Sequence, residues 1–369
     1  MKKAVRRLLG ALGIFVLATG LVAGGYVAYM QAHYYRIEDH LALTVEAPIS
    51  TELCTETPYT AVSYNIGFGA YGPEYSFFMD TGALLDGTPT QGQYGKAISR
   101  DSVLCNTSGA LHTLCEMDAD FYLLQEVDEK ADRSYHVNQR LMATQALHGY
   151  SRIWAENFHS AYLAYPLHDP HGAVLAGLAS FSRYKVDQAI RRSYPVDDSF
   201  FIKFTDLDRC FTLMRLPVKE QAAQLVLINS HMSAYDEGGV IRAQQLELLN
   251  QVIEEEYEKG NYVIVGGDFN HALYGTGHAF ACRQQYPAWV QDMGDEDLPD
   301  HFSFVPAENG MQVPTCRGAD IPYRDGVNYV TVVDGFLVSD NVCAKALNVD
   351  TRFLYSDHNP VLLTFTLCA

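Results

Sequence analysis

Tyr262-Val263-Ile264-Val265-Gly266-Gly267-Asp268-Phe269-Asn270-His271 is the stretch on which the reading of this chain turns. An apolar, largely β-branched run ends in two glycines and then presents Asp268 and Asn270, the pattern of a buried strand that delivers polar groups to the rim of a sheet. Residues two apart in an extended chain point to the same side, so a carboxylate and a carboxamide converge on one spot. Such a pair can hold a water or metal through the acid while the amide donates to a substrate oxygen. In isolation the plainer reading of the stretch is a strand followed by an Asx turn, and only its company elsewhere in the chain shifts that weighting.

Working outward, the same arrangement recurs. Residues 59–67 form an aromatic and β-branched strand ending at Asn65, followed by Gly67 and Gly69. Residues 120–127 form a second apolar strand ending at Glu126, a carboxylate suited to a hard cation that takes oxygen ligands. Residues 224–231 exit onto His231, residues 330–338 carry an inward Asp334, and the turn Ser356-Asp357-His358-Asn359-Pro360 precedes a closing strand. Further strands are expected at 177–183, ending in Arg183, and at 210–216. Helices are expected at 111–117, 135–148 and 240–259, the last an amphipathic pattern that opens with Arg242 and Gln245. Strands and helices alternate without a repeat, which predicts one large α/β domain of two packed sheets with helices outside.

Residues 68–108 are rich in Gly, Tyr, Thr and Asp, lack periodicity and are too long for an ordinary connection, so they read as a functional surface loop or lid, with disorder as the plain alternative. Asn106-Thr107-Ser108 matches a glycosylation sequon.

The ends of the chain bound location. Lys2, Lys3, Arg6 and Arg7 form a basic flank (1–7) before an uncharged, mostly apolar run (8–30), close to the ~20 residues that span a bilayer. The basic side is expected to stay in the cytoplasm and the body to be exported, with a cleaved signal peptide as the rival reading. Residues 31–58 read as a juxtamembrane linker and 59–369 as the domain. Across 369 residues the formal net charge is −18, which argues against a protein that grips nucleic acid through a basic surface. The 8 cysteines are scattered without zinc-ligand spacing; in an oxidising compartment some are candidates for pairing, with several buried free thiols as a reading of at least equal weight. Neither H-E-x-x-H nor G-x-S-x-G occurs, against a zinc hydrolase or serine esterase.

Taken in order, Asn65, Glu126, His231, Asp268 with Asn270, Asp334, and Asp357 with His358 resemble the motifs of the endonuclease/exonuclease/phosphatase superfamily, metal-dependent phosphoesterases related to DNase I, neutral sphingomyelinases and inositol polyphosphate 5-phosphatases. Gly-Asp-Phe-Asn and the terminal Ser-Asp-His are the specific parts, and the resemblance covers about residues 59–367. It implies a DNase I-like four-layer α/β/β/α sandwich and a Mg²⁺ cofactor, with Mn²⁺ as the alternative. Glu126 is then the principal metal ligand with Asn65 beside it, and Asp357 binds the metal or orders its water shell. His358, oriented by Asp334, acts as base or stabiliser of the phosphoryl oxygens; Asp268 positions or deprotonates water; Asn270 and His231 donate to non-bridging oxygens. Arg242 and Arg183 are the candidate substrate-binding residues. The long 68–108 insertion departs from the commonest pattern. The reading is a membrane-anchored phosphodiesterase acting on a phospholipid or sphingomyelin-type substrate, or alternatively a surface nuclease. A non-catalytic binding protein on the same fold is the reading from another class, opposed by the presence of both the metal Glu and the terminal Asp-His.

Overall fold

In the computed structural model, which describes residues 2–200, 202–234 and 239–369, strand Tyr262–Asp268 is buried at every position within a seven-stranded sheet. With both faces covered, a continuous apolar run is what such a strand requires. The helices are α1 (Lys2–Ala32), α2 (Arg100–Met117), α3 (Gln139–Ala146) and α4 (Val240–Glu258). Helix α4 connects Gln224–His231 to Tyr262–Asp268, which pair in parallel, and Asp334–Ser339 pairs antiparallel on the far side. That register sets His231 opposite Asp268 and Asp268 opposite Asp334.

A six-stranded sheet repeats the device. Pro58–Asn65 and Phe121–Ala131 are parallel, joined through α2, with Val361–Leu367 and Gly172–Ser182 flanking them. The sheets face each other across a core that includes Phe121, Leu123, Leu227, Ile264, Phe336 and Leu363. Leu111, Leu114 and Ala143 of α2 and α3 cover the outer face of the six-stranded sheet, and Leu249, Val252 and Ile253 of α4 cover the other. The layers are therefore helix, sheet, sheet, helix. The C-terminal ends of both parallel pairs open on one rim.

Two features set the distance between neighbours near that rim. Gln125 Nε2 donates to Asn229 Oδ1 across the sheets at 2.7 Å, and Asn229 Nδ2 donates to Ser180 Oγ at 3.1 Å, a buried polar link that registers one sheet on the other. Gly267 lies so close to the adjacent strand that a Cβ there would stand 2.0 Å from the Ser230 carbonyl oxygen. Backbone cannot yield as a side chain does, so Gly267→Ala is expected to destabilise the fold by about 3 kcal/mol or more, read as a lower urea midpoint.

Several elements differ from expectation. Helix α2 starts at Arg100 rather than near 111, because Ser99 and Ser102 form a capping box there. Its first turns bury polar side chains against the 68–99 segment, which hides the apolar period. Asn106, at the sequon, is buried and donates to the Gly69 carbonyl at 3.0 Å, so it faces inward, away from glycosylation. The 68–108 stretch is thus largely ordered structure, with a short hairpin Thr81–Ala83/Pro89–Gln91. The 330–338 run is broken: Val330–Thr331 pairs with Cys316–Arg317, and only Asp334–Ser339 enters the large sheet. Residues 31–58 are docked along the domain, with Leu41–Ala42 pairing with Gln188–Ser193 and Leu53 fully buried. Backbone pairing and single apolar anchors do this without any periodic signal. The cysteines are free thiols, and those of Cys343 and Cys368 face each other at 3.1 Å.

Of the basic flank, Met1 lies outside the described residues. From Lys3 to Ala32 the helix has mean hydropathy 2.1 in its most apolar window, none of which is buried, so by length and composition it is able to cross a membrane.

Candidate active site

Eight of the residues singled out in the sequence meet at the shared rim, placed by strand ends, by a bulge within Phe121–Ala131 and by the turn before Val361–Leu367. Glu126 falls at a β-bulge between Leu124 and Val127, and its backbone is left-handed (φ 53°). A bulge re-aims a side chain that regular pleating would turn elsewhere, and the strained backbone is held where a site needs it. Asn65 Nδ2 donates to Glu126 Oε1 at 3.2 Å and to Asp268 Oδ2 at 3.0 Å, while its Oδ1 accepts from the Gly67 N–H at 3.0 Å. Asn65 thus ties one sheet's carboxylate to the other's.

His358 Nδ1 donates to Asp334 Oδ2 at 2.8 Å, and its Nε2 stands 3.8 Å from Asp268 Oδ2. Burial opposes a charge on this imidazole, but the charge and hydrogen bond of Asp334, with Cys316 and Asp268, together outweigh it, so His358 stays protonated well above its usual range. Asp268 is buried, and that burial pushes its carboxyl up to about 6, against the opposing charge of His358. Ser356 fixes this turn: its hydroxyl donates to the Asn65 carbonyl at 2.8 Å and accepts from the His358 N–H at 3.2 Å.

Asp357 is likewise raised to about 6, first by burial and also by Glu126, against His358 and Arg317. Two carboxylates that repel each other beside a carboxamide make an all-oxygen set, the chemistry of a hard divalent cation. Glu126 and Asp357 fit such an ion, and Asn65 would add its oxygen only with the amide turned, since here its Nδ2 faces Glu126 and its Oδ1 the Gly67 N–H. Asp268, Asp334 and His358 also bring ligand-type atoms within 4.8 Å of one another. There, however, Asp334 already accepts the imidazole N–H, so that trio reads as a hydrogen-bonded relay rather than a cation cage.

The structure alters three assignments. The expected hydrogen-bond donor His231 instead accepts: Arg209 Nη1, which can only donate, lies 2.6 Å from its Nε2. His231 is therefore neutral with its proton on Nδ1, and burial, then Arg209, depress its pKa far below normal. Arg209, which also donates to the Met232 carbonyl at 2.9 Å, brings the positive charge to this corner. Nothing in the sequence marks it, because only the strand register that sets Cys210 opposite His231 places it there. Arg242 is buried in the first turn of α4 and donates to the carbonyls of Trp289 (2.8 Å) and Asn270 (3.4 Å), so it braces the Asn270 loop. Arg183 lies at the opposite rim, since Ser182 pairs with Phe121 at the start of its strand; it binds Asp118, the C-cap of α2. Neither is a substrate contact by position.

Asn270 remains at the site, with a left-handed backbone and its N–H on Asp268 Oδ1 at 2.9 Å. Its amide donates to the Met232 carbonyl at 2.9 Å. Arg317, another cation near the rim, is buried and donates to the carbonyls of Tyr71 and Gly72.

A sequence profile of the endonuclease/exonuclease/phosphatase family matches residues 62–358. Among solved structures, an endonuclease/exonuclease/phosphatase from Beutenbergia cavernae is similar at 14% identity, TM-score 0.54, covering 85% of this chain and 72% of that one. The catalytic domain of human Nocturnin with bound sulfate gives 17% identity, TM-score 0.51 and coverage of 86% and 96%. TDP2 from D. rerio, complexed with a single-stranded DNA product, gives 13%, 0.51, 84% and 100%. No curated protein matches the sequence.

Proposed function

Since the chain belongs to the endonuclease/exonuclease/phosphatase family, we propose that it is a metal-dependent hydrolase of phosphodiesters, anchored in a membrane through α1 with its domain on the exported side. The observation that carries the reading is the Asp334–His358–Asp268 relay set against Glu126 and Asp357 on one rim. Glu126, Asn65 and Asp357 would hold Mg²⁺, or Mn²⁺ in its place. When bound, the cation offsets charge on the phosphoryl and leaving oxygens.

The chain's own groups supply the rest. His358, held charged by Asp334, donates from Nε2 to a non-bridging oxygen, whose charge grows in the transition state. Asp268 orients the attacking water and takes its proton. Asn270 turns its amide to a second oxygen, and Arg209, steadied by His231, adds charge beside it. Arg209→Ala is expected to lower kcat for a small soluble diester about 100-fold, and His231→Ala less than that, because His231 acts through Arg209.

The diester is carried by a lipid or a nucleic acid. The DNA product held by D. rerio TDP2 is the observation behind the second branch; the net charge of −18 weighs against it. The deciding experiment uses the full chain in detergent micelles with bis-p-nitrophenyl phosphate. Turnover with Mg²⁺ or Mn²⁺ that EDTA abolishes is the expected result. A folded protein inert under all these conditions would overturn the reading.

A further inference from the structure

Helix α1 is fastened to the domain by its last turns. Tyr26 Oη donates to the Tyr162 carbonyl and accepts from the Ala164 N–H, both at 3.0 Å, and Tyr29 Oη accepts from the Tyr162 N–H at 3.2 Å. Met30 is buried with Ala131, Leu163 and Val174. The contacts climb the hairpin formed by Ser151–Leu163 and Gly172–Ser182: Tyr35 meets His159 edge-on, and Tyr26 reaches Ala164 at the tip. Toward its N-terminus, then, the helix leaves the domain past that tip.

The tip stands on the catalytic side. Glu126 lies at the level of Gly177, its neighbour Val127 being paired with that residue, while the hairpin runs on to the Leu163–Gly172 pair. Those five residues of strand carry the tip ~17 Å beyond the rim. About 20 residues counted from Leu8 reach residue 27, so the far boundary of a bilayer spanned by α1 falls at Tyr26, and tyrosines favour that level. Tyr165 and Leu167 at the tip are 68% and 85% exposed. From the rim to the tip runs a chain of touching rings: Tyr71, which lies by Asp357 and Gly67, then Phe77, Phe78 and Tyr165, with centroids 4.9–6.1 Å apart. The rim arginines Arg209 and Arg317 are buried, placed to serve at most the one reacting phosphoryl group rather than to grip successive phosphates of a polyanion.

We propose that the 164–171 tip sits in the surface of the bilayer crossed by α1, so that the catalytic rim faces that leaflet and the substrate is the headgroup phosphodiester of a membrane phospholipid. The occupant of the exposed apolar tip is identified by its continuity with α1. A lipid drawn partly from the leaflet would pass along the ring chain to the rim. The inference rests on the phosphodiesterase reading for its chemistry, but its geometry can be tested apart from it.

The test uses the full chain in nanodiscs of phosphatidylcholine and sphingomyelin. First, Leu167→Trp fluorescence is measured with brominated phosphatidylcholine, against the background of the two native tryptophans. Quenching beyond wild type is expected; its absence overturns the placement. Second, phosphocholine release and bis-p-nitrophenyl phosphate turnover are compared for wild type and Leu167→Asp. The expected result is lipid turnover at least tenfold lower in the variant with the soluble diester unchanged. Turnover of the soluble diester or of single-stranded DNA with none of lipid overturns the lipid assignment and leaves the phosphodiesterase standing. A folded protein that hydrolyses no diester overturns the catalytic reading, while the quenching still decides the orientation.

Discussion

His358→Ala is expected to lower kcat for a soluble phosphodiester by about 10³- to 10⁴-fold, with the protein still folded. The change removes an imidazolium at the rim, bonded to Asp334 at 2.8 Å and facing Asp268 at 3.8 Å. Asp334→Asn tests the same unit differently. The amide keeps the shape but withdraws the largest of the charges that offset burial, so the imidazole becomes neutral, and kcat should fall about 10³-fold, less than for His358→Ala. Because the two act together, the double variant should be hardly slower than His358→Ala alone. Steady-state kinetics on the three variants, with circular dichroism as the check on folding, distinguish this from two independent contributions. Additive losses would mean that Asp334 has a role apart from the histidine.

Glu126→Gln is expected to move activity and stability in opposite directions. Without the carboxylate the oxygen donor set loses its main charge, and kcat should fall about 10³-fold or more. Glu126 also contributes, after burial, to raising the Asp357 carboxyl, which stands at about 6. Relieving that repulsion should stabilise the metal-free protein by about 1 kcal/mol, the usual sign when a functional strain is removed. A second readout does not need turnover. A ligand that binds only the native state raises the melting temperature, so Mg²⁺ or Mn²⁺ should stabilise wild type but not the variant. Equal shifts in both would place the cation elsewhere, with the Asp268, Asp334 and His358 group the next set to vary.

Much of the site is legible in the chain alone. Asn65, Glu126, Asp268, Asp334 and Asp357 each end or abut an apolar run, and that is a local property. The departures share one cause. Arg183 sits after a strand as apolar as the others, yet its strand runs the other way, so its end lies on the far rim beside Asp118. Strand direction is not written in periodicity. His231 lies where its strand predicts but with the opposite hydrogen-bonding sense, because its partner Arg209 immediately precedes the neighbouring strand, whose Cys210 is in register with His231.

By itself, then, the sequence determined the layered α/β class, the apolar N-terminal helix and the identity of most rim residues, because burial and its interruptions are encoded by nearest neighbours in the chain. Only the tertiary structure decided which strand ends share a rim, that Arg209 rather than His231 carries the charge there, and that the 31–58 stretch and the hairpin tip are fastened to the domain and to α1. Those facts depend on strand pairing and on single contacts between residues as distant as Tyr26 and Tyr162. Contacts of that kind leave no period in the chain, since each is made once, by the folded backbone.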